Sequence, residues 1–147
     1  MIEEIQRKMD EMNHAIIQFR GFYSSWAKKH QISYHELLVL YSIREMGYCS
    51  LRQISQNYLL PRQTIHHTLS MMRKNQFLQL NENLSNGKEK FFVFTKKGHQ
   101  YYDSLLLELS QLESQVVQRF GEDEMEQMTH LLQKLGDAFI NAMEIEK

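Results

Sequence analysis

The chain has 147 residues, a formal net charge of −1 and 42% apolar residues, enough for one domain or two small intimate ones with a real core. Its single proline and six glycines favour a mostly helical protein. No run of about 18 apolar residues exists, which excludes a membrane-spanning helix. A single cysteine excludes an internal disulfide, and the acidic, amphipathic N-terminus does not resemble a signal peptide, so a cytoplasmic location is expected.

The charge is distributed unevenly along the chain. Residues 1–49 are neutral, residues 50–100 carry eight basic and two acidic side chains for a net +6, and residues 101–147 carry a net −7. A strongly basic middle third is typical of a surface that binds a polyanion such as DNA. The alternative is an ordinary solvated face.

A long N-terminal helix is predicted first. Its apolar residues recur every three or four positions: Ile5, Met9, Met12, Ile16, Phe19, Tyr23 and Trp26. Ser33 with Glu36 three residues later is a capping box that begins a second helix, and Gly47 ends it.

Two further helices follow in quick succession. Ser50 and Gln53 form a second capping box before a helix of about two turns. Pro61 suits the first position of the next helix, because its missing N–H is not needed there. On that helix Ile65, Leu69 and Met72 share one side, and the other side carries Gln63, His66, His67, Ser70 and Lys74.

After Leu78 the pattern changes from helical to β. "FLQLNE" alternates, "KFFVF" is aromatic and β-branched, and Asn86-Gly87 between them is a strong hairpin signal, so a two-stranded hairpin with a polar, mobile tip is predicted. Thr95 then caps a long helix to about Arg119. Gly121 separates it from a last helix with an acidic first turn.

The predicted fold is mainly α with a small β-hairpin wing (α+β): a winged helix-turn-helix flanked by N- and C-terminal dimerisation helices. The expected parts are an N-terminal dimerisation helix at 1–32, a DNA-binding domain at 33–98 and C-terminal dimerisation helices at 99–147. The terminal stripes are too long for the small middle domain to cover, which predicts burial against a second copy. The proposed dimer contacts are Ile5, Met9, Met12, Ile16, Leu131, Leu135 and Phe139.

Two segments, "SLRQISQNYLLPRQTIHHTLSMMRKNQFL" and "FVFTKKG", carry a resemblance that extends to the order and length of nearly all elements. The chain resembles the MarR family of bacterial transcriptional regulators. The family's recognition helix opens with a similar leucine–serine–x–x–threonine–valine pattern, and its last strand ends in leucine–threonine–x–x–glycine. The family's wing motif Asp-x-Arg-Asp-x-Arg is absent, because Asn83, Ser85, Asn86 and Lys88 stand in its places.

If the quoted helix enters a major groove, its side chains have separate tasks. Gln63 can pair with adenine and Arg62 with guanine, while Thr64, His66 and His67 reach bases, phosphates or water. Arg73 and Lys74 suit phosphates. Arg62 also lies near the apolar edge, where it could pair within the protein instead. The full set of predicted DNA contacts is Arg52, Arg62, Gln63, Thr64, His66, His67, Ser70, Arg73, Lys74, Ser85, Asn86, Lys88 and Lys90.

The resemblance also implies a small aromatic or phenolic effector, bound where the dimer helices meet the DNA-binding domain. Arg20 is the candidate carboxylate partner, and the candidate walls are Tyr23, Trp26, Tyr34 and His35. Tyr23 and Trp26 belong to the helical stripe, so they could equally be core residues.

Other chemistries find little support in the sequence. Adjacent His66 and His67 diverge on a helix, and neither HExxH nor Cys-x-x-Cys occurs, so no metal or other cofactor is expected. Nucleophile, Walker and Rossmann signatures are missing, so an enzyme is not expected. Cys49, expected in the turn between the second and third helices, is interpreted as a small packed side chain rather than a redox sensor.

The predicted function is a sequence-specific regulator of transcription. It would bind palindromic double-stranded DNA as a homodimer and act as a ligand-responsive repressor. The alternative is a winged-helix adaptor that binds protein rather than DNA.

Overall fold

The computed structural model describes residues 1–143, so the last four residues of the predicted segment 99–147 lie outside it. In chain order the elements are α1 (Ile2–Lys29), α2 (Tyr34–Met46), β1 (Cys49–Ser50), α3 (Leu51–Tyr58), α4 (Arg62–Lys74), β2 (Leu78–Leu80), β3 (Phe91–Phe94), α5 (Lys96–Phe120) and α6 (Glu122–Met143). A helix-rich chain with a small antiparallel sheet confirms the predicted fold class. In the described part of the chain, no helix has the length and apolar content needed to span a membrane.

The chain forms two compact units. The first contains Met1–Leu106 and the second begins at Leu107, so the boundary lies inside α5. In the first unit α2 is the central helix, because its residues 36–40 are all buried, along with Ser42 and Ile43. A helix that is buried on nearly every side belongs to the middle of a core rather than to its surface.

The sheet has three strands in the order β1–β3–β2, and both pairings are antiparallel. The predicted hairpin corresponds to β2 and β3, with Leu78 opposite Phe94 and Leu80 opposite Phe92. The expectation of only two strands is wrong. β1 has two residues, Cys49 and Ser50, and a pair of residues is too short to show the alternation by which strands are recognised.

The wing loop, residues 81–90, also differs from the predicted tight turn at Asn86-Gly87. Among the described glycines only Gly47 and Gly121 have positive φ, so Gly87 does not adopt the left-handed conformation of a type I′ turn. Instead the Asn86 side chain closes the tip: its Oδ1 accepts hydrogen bonds from the N–H groups of Lys88 at 2.8 Å and Glu89 at 2.9 Å. Asparagine side chains commonly form such turns.

Three hydroxyl groups begin helices as predicted. Oγ of Ser33 accepts from Glu36 N–H, Oγ of Ser50 from Gln53 N–H, and Oγ1 of Thr95 from Gly98 N–H, each at 2.9–3.0 Å. The Glu36 carboxyl group turns away from its capping box and accepts a hydrogen bond from the Tyr102 hydroxyl.

Pro61 lies one position earlier than predicted. With φ −59° and ψ 136° it is the N-cap of α4, and Arg62 is the first helical residue. The extended ψ of Pro61 keeps it outside the helix, although its φ would suit either position.

A buried hydrogen bond joins α2 to α5 in the first unit. The Tyr102 hydroxyl donates to Oε2 of Glu36 at 2.7 Å; the tyrosine is fully buried and the glutamate is 9% exposed. The rings of Phe77 and Phe94 lie against Tyr102 at centroid distances of 5.2 and 5.4 Å. Burial, together with the hydrogen bond to Glu36, raises the pKa of Tyr102.

Large apolar side chains remain exposed on the terminal helices. On α1, Ile5, Ile16, Phe19 and Phe22 are exposed, while Met9 and Met12 are half-buried. On α6, Leu131 and Phe139 are exposed and Leu135 is half-buried. So many exposed large apolar side chains along one helix are unusual on a monomeric protein and commonly mark an interface.

Candidate nucleic-acid interface

Helix α4 has two chemically distinct faces. Ile65, Leu69 and Met72 are buried, as the sequence predicted, and Thr68 joins them because its hydroxyl bonds to the Thr64 carbonyl at 3.2 Å. The opposite face is exposed and carries Gln63, His66, His67, Ser70 and Lys74. Thr64 lies between the two faces and is half-buried. The apolar face therefore fixes the helix to the core, and the polar face is available to a partner.

The first turn of α4 offers backbone donors as well. No side chain caps its N–H groups. The first N–H groups of a helix lack partners within the helix, and they carry the positive end of its dipole. A DNA phosphate is a suitable acceptor for such groups.

Beside α4 lies a recess that we call the basic recess, a cavity of about 290 Å³ formed by α3, α4 and the wing loop. Five cationic side chains line it together with His66 and Ser70; they are Arg52 from α3, Arg62 and Arg73 from α4, and Lys88 and Lys90 from the wing. Glu89 is the acidic residue in this lining. Five cations against one anion make the recess a strongly positive surface.

One cation of the recess, Arg73, is held against a neighbouring aromatic ring. The Arg73 guanidinium lies over the Phe92 ring at 4.9 Å from its centroid, and both side chains line the recess. Arg62 is exposed and lines the recess.

Two predicted DNA contacts in the wing, Ser85 and Asn86, already use their side-chain oxygens in hydrogen bonds within the wing. The Ser85 hydroxyl donates to the Asn81 carbonyl at 2.6 Å and accepts from Phe91 N–H at 3.0 Å. Oδ1 of Asn86 is occupied by the tip turn. Both side chains thus shape the wing, which makes them poorer candidates for DNA contact than Lys88 and Lys90.

Sequence reasoning missed the hydrogen bond between Ser50 and Glu89. The buried Ser50 hydroxyl donates to Oε1 of Glu89 at 2.6 Å, across 39 residues of sequence. The only sequence feature that marked Glu89 was its position between two lysines in a basic wing, and this feature did not indicate which residue would hydrogen-bond to it.

The candidate effector residues form more than one group. The Arg20 guanidinium lies over the Tyr34 ring at 5.0 Å, and Tyr34 contacts His35 edge to face. Trp26 instead stacks on His30 at 4.0 Å, and Tyr23 contacts Tyr41 at 6.0 Å. The structure therefore brings Arg20, Tyr34 and His35 together, while the two stripe aromatics have ring partners of their own.

Cys49 lies in strand β1 rather than in a turn, and it is fully buried. Burial raises the pKa of its thiol to about 12, so the reactive thiolate is scarce at neutral pH. Within residues 1–143 no three histidine, cysteine or acidic side chains come close enough together to hold a metal ion.

No family model matches the sequence. Among curated proteins, an uncharacterised HTH-type transcriptional regulator of Staphylococcus aureus is 24% identical over 115 residues, which are 77% of this chain and 79% of the relative.

Several solved structures of MarR-type regulators have the same fold as this chain. A MarR family regulator from Neisseria meningitidis superposes with a TM-score of 0.84 at 17% identity, covering 95% of this chain and 99% of its own. Staphylococcus aureus MarR in complex with salicylate and kanamycin gives 0.68 at 21% identity, with 92% of each chain covered. Reduced AbfR bound to DNA gives 0.70 at 18% identity, covering 97% of this chain and 99% of its own. The chain therefore has the winged-helix fold of the MarR-type transcriptional regulators.

Proposed function

We propose that this protein is a transcriptional regulator that binds double-stranded DNA in a sequence-dependent manner. The observation that carries the proposal is the pairing of the exposed polar face of α4 with the basic recess beside it. The α4 side chains can hydrogen-bond to base edges in a major groove. The five cations of the recess supply the phosphate contacts that hold the helix in register.

The regulator acts as a homodimer in this proposal. Two copies would bury the apolar surfaces of α1 and α6 and present two α4 helices to a palindromic operator. Its half-sites would lie about one helical turn apart. A dimer on such a site near a promoter excludes polymerase, which favours repression as the mode of regulation.

DNA binding is tested first by fluorescence anisotropy with the DNA upstream of the protein's own gene, against a scrambled duplex of equal length. If the five cations contact phosphates, affinity for either duplex falls about 10²–10³-fold between 50 and 200 mM salt. Weak binding that salt leaves unchanged would contradict the proposal and favour the adaptor function, since an apolar protein interface has little salt dependence.

Base recognition is tested with Gln63→Ala combined with His66→Ala. The bidentate pair that Gln63 can make with adenine is worth about 1–3 kcal/mol of discrimination, so its loss alone should lower the preference for the native duplex at least about fivefold. Gln111→Ala with His130→Ala is the matched control, because it removes the same two side-chain types from exposed positions on α5 and α6. An unchanged preference in the first variant would show that α4 does not recognise the bases.

Dimerisation is tested by sedimentation of Ile16→Asp beside Gln18→Asp. Both residues are exposed on α1, so each variant adds the same charge to the same helix. We expect the first variant to dissociate at micromolar concentration and the second to remain a dimer. A wild-type monomer at that concentration would contradict the homodimer.

A small aromatic acid is the proposed effector class, supported by the Arg20 guanidinium beside Tyr34 and His35. Salicylate is a suitable probe, since it is present in the structure of the Staphylococcus aureus relative. Trp26, the chain's single tryptophan, provides a fluorescence signal. We expect a saturable change that Arg20→Gln abolishes and Lys29→Gln preserves; equal titrations in both variants would exclude Arg20 as the carboxylate partner.

A further inference from the structure

One carboxyl group inside the basic recess belongs to Glu89 and is hydrogen-bonded to the helix-turn-helix. Its Oε1 accepts from Oγ of Ser50 at 2.6 Å. Ser50 is fully buried, lies in strand β1 and caps α3 by accepting from Gln53 N–H at 3.0 Å. The Glu89 side chain thus connects the wing loop to the first turn of α3, where the helix dipole favours a negative group.

The backbone around Glu89 is held at the same time. Asn86 N–H donates to the Glu89 carbonyl at 3.0 Å, and Glu89 N–H donates to Oδ1 of Asn86 at 2.9 Å. The tip turn is therefore closed from both sides, and Glu89 is the residue through which that turn is attached to α3. Lys88 and Lys90 are the sequence neighbours of Glu89, so the position of Glu89 fixes where the backbone of both lysines lies.

We propose that Glu89 is the positioning residue of the wing: its hydrogen bond to Ser50 holds Lys88 and Lys90 beside α4 and so determines the wing's share of DNA binding. The part of this inference that concerns DNA rests on the proposed function. The hydrogen bond itself can be tested on the free protein.

Simple electrostatics gives the opposite expectation. A negative charge in a basic recess repels phosphate, so removing it should strengthen DNA binding. Glu82 allows the two effects to be separated, because it is the only other acidic residue between positions 50 and 100, lies in the same wing loop and is exposed. Removing Glu82 changes the charge by the same amount without touching Ser50.

The first measurement is amide hydrogen exchange of the wing in the free, full-length protein. In Glu89→Ala we expect the N–H groups of Asn86 and Lys88 to exchange at least about tenfold faster, because the closed turn has lost its attachment. Glu82→Ala should leave both rates unchanged, as should Glu89→Gln, whose amide oxygen can still accept from Ser50. Equal rates in Glu89→Ala and wild type would overturn the proposal.

The second measurement is DNA affinity with and without Lys88→Ala. In the wild-type background this substitution should weaken binding severalfold and lower the salt slope by about one phosphate contact. In the Glu89→Ala background it should cost less than about twofold, since the lysine is no longer held beside α4. If Lys88→Ala weakens binding as much in the Glu89→Ala background as in wild type, the positioning role is overturned. It is also overturned if Glu89→Ala and Glu82→Ala strengthen DNA binding by the same amount.

Failure of the proposed function gives a different pattern. If the wild-type protein does not bind DNA, the claim about the wing's share falls with it, while the exchange rates still decide whether Glu89 holds the wing.

Discussion

Tyr102→Phe isolates one buried hydrogen bond with almost no change in packing. The substitution removes only the hydroxyl group that donates to Glu36, and the ring keeps its contacts with Phe77 and Phe94. Tyr102 is fully buried and Glu36 is 9% exposed, so water cannot easily replace the lost donor. A buried acceptor without a partner costs about 1–3 kcal/mol, and hydrogen bonds to charged groups lie toward the upper part of that range. We expect the free energy of unfolding to fall by about 1.5–3 kcal/mol.

Urea unfolding followed by circular dichroism measures this loss, at one fixed protein concentration because dimerisation would link stability to concentration. Tyr101→Phe is the control: Tyr101 is 43% exposed and adjacent in sequence, so its hydroxyl remains hydrated and the loss should stay below about 0.5 kcal/mol. A loss below about 0.5 kcal/mol for Tyr102→Phe would refute the argument that this hydrogen bond stabilises the junction of α2 and α5.

The same substitution has a pH signature. Burial and the hydrogen bond to Glu36 raise the pKa of Tyr102 above its ordinary value of 10.0, so the folded protein keeps the phenol neutral after the unfolded chain has ionised. Its contribution to stability is complete below about pH 10 and is lost as pH rises further, by up to about 1.4 kcal/mol per pH unit. Tyr102→Phe should remove that part of the alkaline slope.

Three other substitutions give independent tests. Burial raises the pKa of Cys49 from 9.0 to about 12, so its contribution to stability is present below pH 9 and is lost between pH 9 and 12. Urea unfolding at pH 8 and 10.5 measures this pH dependence, and Cys49→Ala should remove up to about 1.4 kcal/mol of it per pH unit. An unchanged pH dependence in the variant would contradict this. Leu59 ends α3 with a left-handed φ of 52°, and its side chain is 90% exposed, so Leu59→Gly should raise the free energy of unfolding by about 0.5–1 kcal/mol. A decrease would show that the leucine side chain makes contacts worth more than the cost of its left-handed backbone. A Cβ atom on Gly98 would collide with the Phe77 carbonyl oxygen, so Gly98→Ala should lower the thermal midpoint through a loss of about 1–3 kcal/mol, whereas Gly136→Ala, which meets no atom within 4 Å, should not lower it.

Local chemistry made much of the fold predictable. The hydroxyl groups of Ser33, Ser50 and Thr95 each accept from the N–H group three residues further along the chain, so these caps can be recognised from the local sequence. The two faces of α4 follow directly from helical periodicity. The Cβ collision at Gly98 also explains a residue that the sequence could only match to the family pattern.

What escaped prediction depends on pairs of residues that are distant in sequence. Strand β1 exists because Cys49 and Ser50 meet Phe92 and Phe91, and the hydrogen bond from Ser50 to Glu89 spans 39 residues. The wing turn escaped for another reason: Asn86 uses its side chain where Asn-Gly more often uses a left-handed backbone. Periodicity and turn signals concern only residues that are close in sequence. The sequence therefore predicted that the middle of the chain is basic, but not which of its residues come together to form the basic recess.

The two faces of α4 separate the residues that hold the fold from those that we propose to contact DNA, and this has an evolutionary consequence. Gln63, His66 and His67 are exposed, and exposed substitutions usually change stability by less than about 0.5 kcal/mol. If the exposed face of α4 recognises bases as we propose, mutations that alter base preference can accumulate without threatening the fold, while Ile65, Leu69 and Met72 stay constrained by the core. Under that proposal, descendants of one such gene can acquire new operators while the scaffold stays unchanged.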